Sequence, residues 1–227
     1  LARFGLACRL ARPGDKMPSG ISLWDAECDD DLDRIAAEAQ ADGADVIVCG
    51  SAGLAGAARR VSGGTAPGPA GVAAPVLMLA GSDHPVTHRQ LSALTQAGTH
   101  PVRRIDADGG GREAVADCLE RGRSCAVTVA LAPGIDRSAA ADAIETALAA
   151  LIARVPRPAT LFVTGGATLL GVARRLGAQG LAVSGQIEPG MPAGALVGGR
   201  WDGLAVISKS GGFGDAGSLR RLLDAAR

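Results

Sequence analysis

Short apolar runs alternate with segments of helical character along most of this chain, and this alternation constrains the fold more than any other feature. The strongest apolar runs cover residues 75–80, 124–131, 160–163 and 204–207. Because each run is followed by a helix-like segment, successive strands point the same way and are joined by right-handed crossovers. We therefore predict a three-layer α/β sandwich, in which a mostly parallel sheet carries helices on both faces.

Weaker signals complete the predicted element order. Helices are predicted over 32–41, 54–61, 85–97, 112–121, 169–176 and 216–226, and further strands over 45–49, 102–105 and 181–187. The strongest helix is capped by Asp136 or Ser138 and extends to about Arg154. Residues 62–74 are rich in Gly, Pro and Ala and predict a loop. Residues 188–201 also carry many Gly and Pro, and predict an excursion with at most a short strand.

Composition excludes several classes of partner. The 227 residues include 23 Lys and Arg and 23 Asp and Glu, so the formal net charge is zero. Proteins that bind nucleic acid or anionic membranes usually carry a basic excess. Aromatic residues make up only 2% of the chain, which argues against base stacking and for an aliphatic core. We expect neither nucleic acid nor a membrane as partner.

The five cysteines are Cys8, Cys28, Cys49, Cys118 and Cys125, and none forms a C-x-x-C pair. This spacing supports neither a zinc site nor a redox motif. Cys49 and Cys125 lie in apolar runs, so we predict that both are buried. With no secretory signal and no apolar run long enough to cross a bilayer, the sequence predicts a reducing, cytoplasmic location.

Clusters of small residues follow four of the predicted strands. They are Gly50–Gly53, Gly81-Ser82, Thr164–Thr168 and Ser210–Gly214. Ligands of open parallel sheets bind beyond the carboxyl ends of the strands, where glycine lets backbone N–H groups approach an anion. Ser82, Thr164 and Thr168 add hydroxyl donors, and Lys209 adds a positive charge. The four loops together predict a phosphate or nucleotide site.

The sequence does not satisfy the standard fingerprints for such chemistry. It contains no G-x-x-x-x-G-K-[ST], and no strand–G-x-G-x-x-G unit is followed about 20 residues later by an acidic residue for the ribose, so a dinucleotide-dependent oxidoreductase is disfavoured. It has no G-x-S-x-G, which leaves a serine hydrolase without support. His84 and His88 lie four residues apart but have no third ligand nearby, so we predict no protein metal site.

Several short motifs occur in a fixed order in this chain. They are Gly50–Leu54; Val76–Ser82 with His84–Thr87 and Gln90-Leu91; Val163–Thr168; Gly185–Pro192; and Lys209–Gly214. This series resembles the C-terminal nucleotide-binding domain of the four-carbon acid sugar kinases. The resemblance begins with Trp24–Glu27 and Asp30–Leu32 and extends to the end. It divides the chain into 1–21, a lead-in or remnant of a preceding region, and 22–227, the nucleotide-binding domain.

The resemblance implies a kinase that phosphorylates tetronates or 3-oxo-tetronates with ATP and Mg²⁺, threonate and erythronate being substrates of this type. It implies nucleotide contacts from three places in this sequence: Ser82; the turn of Gly165, Gly166, Ala167 and Thr168; and the last loop, with Lys209, Gly211, Gly212 and Gly214. Lys209 and Mg²⁺ would offset phosphate charge. No catalytic base is identified. Asp215 is the nearest carboxylate to the last loop, and we expect it to cap the final helix.

Two departures from the family pattern qualify this prediction. Ala167 stands where the family usually has Asp or Glu, a side chain suited to hold ribose hydroxyls or Mg²⁺. No Asp-Asp-x-Thr-Gly sugar-binding motif occurs, so we expect a separate N-terminal domain to bind the sugar acid. The alternative is a non-catalytic nucleotide-binding module or an inactive remnant of such a kinase. A homodimer is a further expectation that the sequence does not decide.

Overall fold

The computed structural model describes residues 4–43, 45–63 and 71–226. The chain divides into two compact units, Leu1–Ala66 and Pro67–Arg227. The boundary expected after residue 21 from the family resemblance lies within the first of these units and stays a prediction. None of the helices among the described residues is long and apolar enough to cross a membrane.

The first unit contains two short strands and two helices. Strands β1 (Arg9–Ala11) and β2 (Ser22–Trp24) pair in parallel. Helix α1 (Asp29–Asp42) carries three aspartates in its first turn, where carboxylates meet the positive end of the helix dipole. Helix α2 (Ala52–Val61) packs against α1, and Arg60 pairs with Asp33 at 2.6 Å. Both predicted helices are therefore present, each longer than the sequence indicated.

The strand predicted over 45–49 is wrong. These residues form no regular element, Ile47 is 90% exposed, and Cys49 is exposed rather than buried. A strand needs a neighbouring strand for its N–H and C=O groups, and none of the described strands pairs with this segment. Consequently Gly50–Gly53 does not follow a strand and cannot belong to a row of strand-end loops.

The second unit is built on a seven-stranded sheet. Its strands are β3 (Val76–Ala80), β4 (Val102–Ile105), β5 (Cys125–Val129), β6 (Thr160–Thr164), β7 (Gly180–Gln186), β8 (Pro192–Val197) and β9 (Ala205–Lys209). They lie in the order β4-β5-β3-β6-β9-β8-β7. Strands β4, β5, β3, β6 and β9 are parallel, and β8 runs antiparallel to both of its neighbours.

Helices cover both faces of this sheet and confirm the predicted three-layer α/β fold. They are α3 (Pro85–Ala97), α4 (Arg112–Glu120), α5 (Arg137–Ile152), α6 (Gly166–Leu176) and α7 (Ser218–Ala225). Because side chains of a strand alternate between faces, Leu77 and Leu79 pack with residues of α4, α5 and α6. Val76 and Met78 pack instead with residues of α3 and α7.

Two elements of this unit differ from the prediction in ways that matter for the site. Residues predicted as an excursion contain β8, a full strand that begins at Pro192. Pro and Gly disfavour strands in general, but proline is tolerated at the first strand position. At Gly194 any β-carbon would overlap the backbone of Ala182 in β7. Helix α6 begins at Gly166 rather than Leu169, so the predicted glycine turn is largely the first turn of a helix.

Candidate functional site

The carboxyl ends of β3 and β6 form the point where the chain changes direction in the sheet. These strands are neighbours, with Ala80 opposite Thr164. The helix that follows β3 packs on one face of the sheet, and the helix that follows β6 packs on the other. In open α/β sheets a crevice opens between two such connections and is where ligands bind. The topology therefore defines a candidate site beside Gly81 and Gly165.

Backbone hydrogen bonds extend the sheet into the loops at this edge. The Gly81 N–H donates to the Thr164 carbonyl at 3.1 Å, and the Gly165 N–H donates to the Lys209 carbonyl at 2.9 Å. Gly165 has a φ of 105°, which favours glycine, as the chain turns from β6 into α6. The buried Thr168 side chain packs directly on Gly81. The loops after β3 and β6 are thus held in contact.

The N-terminus of α6 is open to an anion. Gly165 precedes the helix without supplying a side-chain cap, and the first turn contains no acidic residue. The first helical bond runs from the Leu169 N–H to the Gly165 carbonyl. In the described part of the chain, the N–H groups of Gly166, Ala167 and Thr168 donate to no other residue. With Gly166 and Ala167 exposed, uncapped N–H groups and the helix dipole favour a negatively charged ligand.

The loop after β9, Ser210–Gly214, is the glycine loop, and it lies against the loop after β3. A β-carbon on Gly211 would overlap Ser82 Oγ, and one on Gly212 would lie 3.3 Å from His84 Nε2. The Ser82 hydroxyl accepts a hydrogen bond from the His84 N–H at 3.3 Å. The predicted site residues of the three loops, including Gly214, therefore lie on three neighbouring loops of one sheet edge.

Lys209 is the last residue of β9 and its ammonium is turned into the protein. The side chain is 2% exposed, and Nζ donates to the carbonyls of Ser210, Gly211 and Phe213 at 3.0, 3.2 and 3.2 Å. Burial lowers the pKa of this ammonium. The charge predicted to meet phosphate thus serves the loop's own carbonyls with all three of its protons.

Two further polar residues hold the same loop and received no role in the sequence analysis. Thr87 Oγ1 donates to the Gly211 carbonyl at 3.0 Å. Gln90 Nε2 donates to the carbonyls of Phe213 and Asp215 at 3.0 and 2.8 Å. Both side chains are fully buried on α3. Their spacing with buried Leu94 (i, i+3, i+7) is the signal that places them on the inner face of the helix.

Arg221 joins the glycine loop to the turn between β7 and β8. Its guanidinium donates to Asp215 Oδ1 at 2.9 Å and to Glu188 Oε1 at 2.9 Å. These hydrogen bonds hold the pKa of both carboxyls below their usual values. Asp215 was predicted to cap the last helix, but Gly217 occupies the N-cap position. The Asp215 carboxylate accepts a hydrogen bond from the Gly217 N–H at 2.8 Å.

The two histidines considered for metal binding serve local structure. His84 caps α3, with Nδ1 accepting from the Val86 N–H at 3.2 Å, and His88 pairs with Asp83 at 2.9 Å. Among the described residues no group of three His, Cys, Asp or Glu side chains is placed to hold a metal ion.

An open α/β sheet with an uncapped helix N-terminus and a glycine loop at its switch point defines the class of α/β domains that bind anionic ligands at the carboxyl edge. The family model described as "Nucleotide-binding C-terminal domain" matches residues 77–219, more than half of the chain. The chain belongs to this family. The match confirms the resemblance to the C-terminal domain of the four-carbon acid sugar kinases.

Curated relatives carry kinase names. The chain is 33% identical over 219 residues to a D-threonate kinase of Bordetella bronchiseptica, a match that covers 91% of this chain and 53% of the relative. It is 42% identical over 59 residues to a D-threonate kinase of Salmonella typhimurium, covering 26% of this chain and 14% of that one. The chain spans about half the length of the first of these relatives.

Solved structures share the fold. A protein of unknown function from Bordetella bronchiseptica, crystallised with citrate as a domain-swapped dimer, has a TM-score of 0.55 and 28% identity over 99% of this chain and 60% of its own. A Haemophilus influenzae protein has a TM-score of 0.59 and 21% identity over 90% of this chain and 52% of its own. The second likeness concerns the fold alone.

Proposed function

We propose that this chain is the ATP-binding part of a kinase that phosphorylates a four-carbon sugar acid such as threonate. The open N-terminus of α6 at the switch point carries the proposal, because its exposed N–H groups suit a polyphosphate. The names of the curated relatives support the reaction class, and the family description supports the nucleotide.

In this proposal the three neighbouring loops share the phosphate chain. The first-turn N–H groups of α6 and the Ser82 hydroxyl contact phosphate oxygens, and the N–H groups of Gly211, Gly212 and Gly214 do so from the other side. ATP supplies the phosphoryl group. Mg²⁺ would be held chiefly by phosphate oxygens and water, as is usual for this ion, and would offset the negative charge of the phosphates. Positioning and charge neutralisation are the main requirements of phosphoryl transfer.

The sugar acid is bound elsewhere in this proposal. The chain covers 53% of the length of its D-threonate kinase relative, so the sugar acid, which carries the acceptor hydroxyl, would be held by a sugar-binding region outside the family match. We propose a cytoplasmic enzyme, and a homodimer by analogy with the relative that was solved as a domain-swapped dimer.

A specific observation favours a second candidate, a nucleotide-binding module without catalysis. Ala167 is exposed in the first turn of α6, which contains no acidic side chain for ribose or Mg²⁺. A domain that holds nucleotide weakly or without metal would fit this departure from the family pattern.

Calorimetric titration of the intact chain with Mg·ATP tests the nucleotide proposal. A β-carbon at Gly166 meets nothing within 4 Å, so Gly166→Ala fits without strain and the side chain of Gly166→Asp begins in open space. Asp at a helix N-terminus stabilises the helix by about 0.3–1 kcal/mol, yet its charge occupies the place proposed for phosphate. We expect saturable binding that Gly166→Ala preserves and Gly166→Asp abolishes without loss of stability. Absence of binding to the folded wild type contradicts the proposal.

Turnover separates the two candidates. We expect ADP formation from ATP and D-threonate once the N-terminal region of the Bordetella relative is added in trans. Nucleotide binding that persists with no turnover under these conditions favours the non-catalytic module. Gly166→Asp, which removes binding, is the matched negative control for any ADP that appears.

A further inference from the structure

We propose that Lys209, Thr87 and Gln90 act together as positioning residues that orient the glycine loop. They turn three of its peptide groups so that the N–H groups of Gly211, Gly212 and Gly214 face a bound phosphate. The inference rests on the proposed function, because it takes this loop as one side of the phosphate site. In this role Lys209 holds carbonyls of the loop and does not itself contact phosphate.

The hydrogen bonds of the Lys209 ammonium select particular peptide groups. Its acceptors are the carbonyls of Ser210, Gly211 and Phe213. In a trans peptide the C=O of one residue and the N–H of the next point in opposite directions. The cis peptide bond found among the described residues is Ala74-Pro75, which lies outside this loop. Because the ammonium draws these three carbonyls towards itself, the N–H groups of the residues that follow, Gly211, Gly212 and Gly214, point away from it. Gly212 and Gly214 are exposed, and Gly211 is buried beside Ser82.

The pairing of the loop's N–H groups agrees with this orientation. In the described structure the N–H groups of Gly211, Gly212 and Gly214 donate to no residue. The Phe213 N–H, whose peptide group is not held by Lys209, turns back to the Ser210 carbonyl at 3.2 Å. Three unpaired donors within the four loop residues 211–214 offer an anion several backbone N–H partners.

Thr87 and Gln90 reinforce the same peptide groups from α3. Thr87 Oγ1 shares the Gly211 carbonyl with Lys209, and Gln90 Nε2 shares the Phe213 carbonyl with it. The Ser210 carbonyl also accepts the Phe213 N–H. Each carbonyl held by Lys209 thus has a second hydrogen-bond donor. When any one of the three side chains is removed, every one of these carbonyls keeps a partner. Variants at these positions are expected to remain folded.

The experiment compares the affinities of the intact chain for ATP, inorganic tripolyphosphate and adenosine. Its variants are Lys209→Met, Gln90→Met and Thr87→Val, with Thr87→Ser as the conservative rescue and Thr95→Val as the control. Thr95 lies on the same helix and donates only within it, to the Leu91 carbonyl at 2.9 Å. Amide NMR order parameters of Gly211, Gly212 and Gly214 are recorded for each chain without ligand.

If the inference holds, Lys209→Met, Gln90→Met and Thr87→Val all weaken tripolyphosphate and ATP binding while adenosine affinity is unchanged. We expect a loss of roughly tenfold or more for Lys209→Met, because hydrogen bonds to charged groups are among the stronger ones. The loss is smaller for Gln90→Met and smallest for Thr87→Val, in the order of carbonyls held. Thr87→Ser and Thr95→Val retain the wild-type affinity.

Three results overturn the inference while leaving the proposed function standing. If only Lys209→Met weakens tripolyphosphate, and does so with a reduced salt dependence, the lysine is a direct ligand. If the variants weaken adenosine equally, the effect is general disruption. Failure of the wild type to bind any phosphate compound refutes the proposed function instead. The NMR order parameters of the ligand-free chains test the positioning role directly. Loosened glycine amides in the variants support this role, and unchanged ones refute it.

Discussion

Thr168 packs on Gly81 so closely that any β-carbon on the glycine would overlap the threonine side chain. Gly81 follows β3 and Thr168 lies in the first turn of α6, so this contact joins the two connections that diverge at the switch point. Thr168 is buried although it is polar. The pair fixes the distance between the loop after β3 and the open helix end, which is the geometry on which the proposed phosphate site depends.

Gly81→Ala is expected to destabilise the fold and weaken nucleotide binding together. The new methyl group overlaps Thr168 Oγ1 and Cγ2, and overpacking of this kind costs about 1–3 kcal/mol. Urea denaturation measures the loss of stability, and calorimetry with Mg·ATP measures the loss of affinity.

Two companion variants make this prediction specific. Gly81→Ala combined with Thr168→Ala recovers part of the stability, because the nearest overlapping atoms are removed while Thr168 Cβ remains close. Gly166→Ala adds the same methyl group where nothing lies within 4 Å and leaves stability unchanged or slightly raised. Equal effects at Gly81 and Gly166 would show that the contact with Thr168 carries no weight.

Gly190→Ala is expected to destabilise the folded protein where the turn between β7 and β8 contacts the glycine loop. Gly190 has a φ of 79°, and its β-carbon would overlap the ring of Phe213. Left-handed backbone at a non-glycine residue costs about 1–3 kcal/mol, to which the clash adds. A double-mutant cycle with Phe213→Ala separates the two terms by urea denaturation. The second substitution removes the clash but not the backbone strain, so partial recovery is expected, and full recovery would show that the backbone is unstrained.

The core of the second unit could be predicted from the sequence because its strands are buried on both faces. Residues of β3, β5 and β6 read as continuous apolar runs, and burial on both sides of the sheet requires that pattern. The same rule failed for 45–49, where an apolar run has no strand partner, and for β8, where Pro192 and Gly194 interrupt the pattern. Apolar character predicts burial, whereas strand pairing depends on neighbours distant in the sequence.

The loops of the candidate site could be predicted from the sequence, but the directions in which their side chains point could not. The clustered glycines after β6 and β9 lie together at one edge of the sheet, as the sequence indicated. The direction of the Lys209 side chain could not be predicted, because it depends on carbonyls that only the folded loop brings within reach. Thr87 and Gln90 were likewise visible only as polar residues on a helix, since their partners lie more than a hundred residues further along the chain.

The ion pairs of Arg221 predict a pH-dependent contribution to stability. Hydrogen bonds from Arg221 depress the pKa of Asp215 and Glu188 in the folded protein. A depressed carboxyl pKa stabilises the folded state above the unfolded pKa of about 4, and this stabilisation disappears as pH falls through the folded value. Wild type should therefore be more stable than Arg221→Gln at neutral pH, and the difference should shrink below about pH 4.

Urea denaturation between neutral and acidic pH measures this difference. Arg220→Gln is the control, because Arg220 lies on the same helix and pairs with Asp224 at 3.2 Å instead. Its stability difference from wild type should be smaller at neutral pH, because an exposed i,i+4 ion pair contributes little to stability. A stability difference at Arg221 that is constant across this pH range would mean that the two carboxyls do not stabilise the junction through their charge.

Ala167→Glu tests the main departure from the family pattern. The resemblance to four-carbon acid sugar kinases implies an acidic side chain at this exposed position of α6, suited to Mg²⁺ or ribose hydroxyls. Glu near a helix N-terminus also stabilises the helix by about 0.3–1 kcal/mol. If the carboxylate holds Mg²⁺, calorimetry will show tighter binding of Mg·ATP and weaker binding of metal-free ATP, which the new charge repels. Leu170→Glu, also exposed on α6 but beyond its first turn, should change neither affinity. Equal weakening of both nucleotide forms by Ala167→Glu would show that this chain binds ATP without an acidic ligand at that position, as a non-catalytic module would.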